Sequence, residues 1–149
     1  MEATVKARRF ELVDDEGHVR VALWCGADNQ QPGVYLYDRN GGARASLQMR
    51  PEGNPAIVLF TPGGRNRLQL DLLPDGSPFL SMFDGAGTLR FSVSLHQDGR
   101  PELVLLDERA NPLAGIRVMP QGAVVFPRWT VIRPCRASEV KPQTCGKRG

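Results

Sequence analysis

The sequence predicts an all-β protein: an antiparallel meander of about ten to eleven strands, built from five 23-residue hairpin repeats and rolled or barrel-like. Three observations predict it. One pattern of turn and strand residues returns in a single register across residues 12–116. Apolar and polar residues alternate with period two after each turn. Glycine (16) and proline (12) interrupt residues 9–126 so often that no long helix fits.

The turn-starting residues are Asp14, Asp38, Thr61, Asp84 and Asp107, spaced by 24, 23, 23 and 23. Three residues on stand Gly17, Gly41, Gly64, Gly87 and Ala110. Six on stand Arg20, Arg44, Arg67, Arg90 and Leu113, and nine on Leu23, Leu47, Leu70, Val93 and Ile116. Leu12, Leu36, Leu59, Met82 and Leu105 lie two residues before the turns. An aspartate opening a type I turn accepts bonds from amides ahead of it. The glycine three residues on takes the left-handed conformation that closes the turn with a bulge.

The strand after each turn alternates. Leu89, Phe91, Val93 and Leu95 point one way, and Arg90, Ser92, Ser94 and His96 the other. Leu68, Leu70 and Leu72 likewise oppose Arg67, Gln69 and Asp71. This is the period of a half-buried strand. The strand before each turn, "AIVLF" at 56–60 or "LVLL" at 103–106, is apolar on both sides, so its second face is covered too or packs on a partner. The links "PEGNP" (51–55), "PDGSP" (74–78) and "QDGRP" (97–101) join one copy to the next. Asp-Gly is a hairpin signal, and the proline sits at the strand start where no donor is needed. Two alternating turn types are therefore expected. "AVVF" at 123–126 reads as an eleventh strand that opens an unfinished sixth copy. The division is a repeat domain over 1–126 and a basic extension over 127–149.

One face of such a meander is apolar and must be buried, by rolling up, by folding into a sandwich, or against another subunit. The rolled form is expected, with bulky Phe91, Leu70 and Met49 filling its interior.

Composition bounds the function. The chain has 149 residues, 41% hydrophobic and 23% charged, which suits one globular domain able to bury a core without disulfides or metal. There is no run of 18 apolar residues, so no membrane span is expected. The stretch "MEATVKARRF" has no apolar core of a secretory signal, so a cytoplasmic or assembly-associated location is expected. The net charge of +3 is uneven: residues 126–149 hold six Lys/Arg and one Glu, whereas 1–125 hold thirteen Lys/Arg and fifteen Asp/Glu. Three cysteines (Cys25, Cys135 and Cys145), without a CxxC pair, form neither a zinc site nor a disulfide framework. They read as free thiols, with a Cys135–Cys145 pair open only to an oxidising compartment.

The candidate ligand-binding residues are Arg20, Arg44, Arg67 and Arg90, which fall at one repeat position and form a stripe. The stripe either binds an acidic polymer or glycan, or is a solvated face whose arginines pair with nearby carboxylates. The aspartate column lacks the clustered oxygens calcium needs, so it reads as turn capping, and no metal or cofactor is expected. No nucleophile elbow, zincin helix or phosphate loop is present, and an enzyme is not expected. Arg128, Trp129, Arg133 and Arg136 are the candidate contact residues of the extension.

Tyr37-Asp38 with Gly41, echoed by Phe83-Asp84 with Gly87, resembles the YD (RHS-type) hairpin repeats of bacterial proteins over about residues 9–122. The resemblance implies a strip of hairpins of the kind that wraps a cargo, and carries over no functional residue. The period is shared with MORN hairpin repeats, whose Tyr/Gly/Trp signature is absent.

The leading functional expectation is a non-catalytic structural or interaction module, a scaffold or a subunit of a larger assembly. Its partner would be another protein or a second copy. The alternatives are a polyanion-binding module acting through the arginine stripe and a barrel that holds an apolar ligand.

Overall fold

The structure is a computed structural model that describes residues 4–25 and 32–126. They form eleven strands: β1 (Arg9–Val13), β2 (Val19–Trp24), β3 (Gly33–Tyr37), β4 (Ala43–Met49), β5 (Pro55–Phe60), β6 (Asn66–Leu72), β7 (Pro78–Phe83), β8 (Leu89–Leu95), β9 (Pro101–Leu106), β10 (Pro112–Met119) and β11 (Gly122–Phe126). Their order in the sheet is their order in the chain, and each neighbouring pair is antiparallel. The expected all-β meander is therefore present. The proposed extension and its residues Arg128, Trp129, Arg133 and Arg136, like Cys135 and Cys145, lie outside the described residues.

The barrel-like closure is not. Among the described residues β1 pairs only with β2 and β11 only with β10, so the sheet does not close on itself. Among the described residues, strands touch only their sequence neighbours, which makes the sheet a single layer. Period two reports which way side chains point. It carries no information on coiling or edge pairing, and those decide closure.

The residues expected to fill an interior are correspondingly open. Leu70 is 42% and Met49 38% exposed, and Phe91 is half-buried. The deepest residues lie on the opposite face. Most of them are small, such as Ala22, Ser46, Ala56, Val58 and Ser81, sunk between taller neighbours such as Tyr35, Gln48, Gln69 and Phe79. A one-layer sheet can bury only what its own neighbours overtop. β5 shows both sides of this, with Ala56 and Val58 buried and Ile57 and Leu59 exposed.

The turns also correct the sequence reading, because the two expected types are one. In "PEGNP" the Arg50 amide donates to Asn54 O, and Gly53 N donates back to Arg50 O. In the aspartate turn the Asp38 amide donates to Gly42 O and Gly41 N to Asp38 O, which is the same ring. Glycines at the fourth position have positive φ in both kinds, for example 85° at Gly53 and 79° at Gly41.

What alternates is a bulge. Tyr37 pairs with Ala43 but Leu36 with Ala45, so Arg44 is an extra residue in β4. The same skip falls at Arg20, Arg67, Arg90 and Leu113. The hairpin from β4 to β5 has no such skip. A turn closed between residues i and i+4 keeps the face of a residue tied to an even spacing. One inserted residue per copy therefore makes the repeat odd, as a 23-residue period requires.

Candidate functional site

The arginine column is a column of bulge residues. The bulge aims Arg44 Nε at the carbonyl of Phe60 (3.3 Å), at the end of the next strand. It aims Arg90 Nε at Leu106 O (3.0 Å) in the same way. Each guanidinium also turns back to its own turn aspartate. The pairs are Arg20–Asp14 at 3.7 Å, Arg44–Asp38 at 3.6 Å and Arg90–Asp84 at 3.3 Å. Arg67 makes no pair of this kind, because Thr61 replaces the aspartate in its copy. The stripe is thus three salt-bridged arginines and one without a carboxylate opposite it.

The aspartates are occupied as turn caps. Asp38 Oδ1 accepts from Asn40 N (2.9 Å) and Gly42 N (3.0 Å), and Asp84 Oδ1 from Ala86 N (2.9 Å) and Thr88 N (3.0 Å). Thr61 Oγ1 substitutes with one bond, from Arg65 N. Those backbone bonds, led by Gly42 N and Thr88 N and aided by the facing arginine, hold the Asp38 and Asp84 carboxyls below the usual carboxylate range. The same holds at Asp14 and Asp107, where the His18 and Asn111 amides lead. Asp14, Glu16 and His18 bring three ligand atoms within 4.8 Å of one another, but all three are at a solvent-facing turn and Asp14 Oδ1 already takes two amide bonds.

Two polar networks that the sequence does not advertise lie on the same face. Asp71, 6% exposed, receives Arg50 Nε (3.0 Å) and Gln69 Nε2 (2.5 Å), and Gln69 in turn accepts from Asn66. Glu102 receives Arg117 and contacts His96 Nε2 at 3.0 Å. Neither follows the repeat, so periodicity could not have found them. At the β1 edge, Arg9 lies over the Trp24 ring at 5.0 Å, and Trp24 meets Tyr35 edge-on at 6.0 Å.

The other face is chemically uniform. Register carries one row through β1 to β10: Phe10, Leu23, Val34, Leu47, Ile57, Leu70, Leu80, Val93, Leu103 and Ile116. A second row beside it runs Leu12, Val21, Leu36, Ala45, Leu59, Leu68, Met82, Phe91, Leu105 and Ala114. Neither row holds a side-chain nitrogen or oxygen. Leu47, Ile57, Leu105 and Ile116 are each more than 40% exposed. A hollow of about 460 Å³ opens at the β1–β4 end of this face, among Phe10, Leu23, Val34, Leu47 and Met49. Single folded chains rarely expose a contiguous apolar patch that runs the length of a sheet.

No family model matches the chain, and no curated protein does. Among solved structures it is similar to the E1021V mutant of the TCP10 domain of Danio rerio CPAP, at 21% identity over 78% of this chain and a TM-score of 0.31. The chain covers 66% of that structure's own length. A likeness at that score carries no argument about function.

Proposed function

We propose that this protein is a non-catalytic interaction module, a scaffold or subunit that works by being covered on its aliphatic face. The observation that carries the proposal is the pair of unbroken apolar rows. Exposed leucines at this density disfavour an isolated chain in water, and removing such area from water is the driving force for association. The other face is already engaged with itself through caps, bulge arginines and ion pairs. Three of the four candidate arginines are neutralised by their own aspartates, which weighs against a polyanion as the main ligand.

The four methionines include a built-in test. Met49 and Met82 lie on the aliphatic face, 38% and 39% exposed, and Met119 lies on the opposite side of β10. Oxidative footprinting in living cells should show Met49 and Met82 modified at least about tenfold more slowly than Met119, because oxidation follows exposure. Oxidation of Met49 and Met82 as fast as Met119 would mean that the face stays bare at work, and would end the proposal.

A further inference from the structure

We infer that the occupant of the aliphatic face is a second copy of this chain, seated face to face to make a two-layer sandwich. The inference rests on the proposed covering of that face and adds the identity of the cover. Area is the first argument. Eleven strands at about 4.8 Å spacing, with about five residues of each at about 3.3 Å rise, give a face of roughly 50 by 17 Å, or about 900 Å². A stable protein–protein interface needs about 800 Å² from each partner. One copy therefore offers enough for a dimer, and the partner must be about as large and as flat.

Chemistry is the second argument. Rows without a side-chain donor or acceptor suit a partner that brings none, since any polar group pressed against them would lose its water bonds unreplaced. The surface on this molecule with that property over that extent is the same face. Two uniform rows running side by side through β1 to β10 look alike from either end, so a two-fold axis lying between the copies, over the middle strands, superposes apolar on apolar. Sheets packed this way interdigitate side chains about 10 Å apart, and the hollow among Phe10, Leu23 and Leu47 gives the facing copy room to do so.

Residues 127–149 are too few to cover the face: they carry Trp129, Val131, Ile132 and Val140 as their large apolar residues, against about twenty apolar positions in the two rows. A small apolar ligand in the hollow would leave β6 to β11 bare.

The test uses the full chain. Light scattering should give twice the monomer mass of 16.4 kDa. Leu70→Glu, at the centre of the long row, enters a two-fold interface twice and should raise the dimer dissociation constant by at least about 100-fold. Because Leu70 projects into solvent in the single chain, the variant should keep its far-ultraviolet β spectrum as a monomer. Should it fail to fold, a second experiment decides. In a background with Cys25, Cys135 and Cys145 changed to Ser, Leu70→Cys should be joined to its counterpart by a short bismaleimide, whose reach suits layers about 10 Å apart, and Ser94→Cys, on the opposite face, should not. A wild-type monomer, a dimer that cross-links equally through both cysteines, or a monomer that binds neutral phosphatidylcholine vesicles would each overturn the second copy as occupant. If Met49 and Met82 remained protected in cells, those results would leave the covered-face reading standing with a different partner.

Discussion

Gly87 isolates one physical effect. Its φ is +89°, and a Cβ built on it meets nothing within 4 Å. Gly87→Ala therefore introduces no clash with other residues, and its whole cost is the left-handed backbone. That strain is about 1–2 kcal/mol for an L-residue. It is offset by about 0.4–1 kcal/mol, because alanine also lowers the entropy of the unfolded chain. The net expectation is about 1 kcal/mol of destabilisation, and Gly87→Val should exceed it because a branched Cβ is worse at positive φ. With a urea m-value of about 1–3 kcal/mol/M, the midpoint should fall by about 0.3–1 M at one fixed protein concentration. Ala110 supplies the reverse experiment. It holds the equivalent position at φ 60°, so Ala110→Gly should stabilise by a few tenths of a kcal/mol. Unchanged midpoints for both Gly87 variants would refute the turn assignment. A loss on Ala110→Gly would refute the strain argument.

Five further outcomes are expected. Asp14, Asp38, Asp84 and Asp107 have depressed carboxyl pKa values in the folded state. Their contribution is thus present above the unfolded value and lost as pH falls below about 4, so urea midpoints should drop from pH 5 to pH 3, and less so in Asp84→Asn. Arg90→Gln should cost about 0.5–1 kcal/mol through its bonds to Leu106 O and Asp84. Arg67→Gln should cost nothing measurable in the same denaturation series. Asp71→Ala should cost about 1–3 kcal/mol, since it strands Arg50 and Gln69 on the polar face; a neutral result would show that network to be incidental. Heparin retention of the full chain should be unchanged when Arg44, Arg67 and Arg90 are all made Gln, and a steep loss would revive the polyanion reading.

Much of the backbone was legible because it repeats. Asp38, Gly41 and Leu47 each have counterparts one period away, and a five-fold repetition raises local turn chemistry above noise. Even the bulge was implicit in the odd period, although it takes the observed register to show that Arg44 is the inserted residue. The polar networks were not legible. Asp71 meets Arg50 through a cross-strand register and a turn between them, 21 residues apart in the chain, and no other copy has the same pair. Likewise, the arginine column could be read from spacing, but its engagement depends on where a bulge points a side chain relative to the next strand's last carbonyl.

The sequence by itself determined the strands, the turns, their order and the existence of one aliphatic face, because these follow from residue type at short range. Only the tertiary structure decided whether that face is enclosed. Alternation forces leucines to one side of a sheet but does not curl it, and curling needs coiling and two edges that meet. Here, among the described residues, β1 and β11 do not meet, Ser46 and Ser81 lie deeper than Leu47 and Leu70, and the apolar rows turn outward.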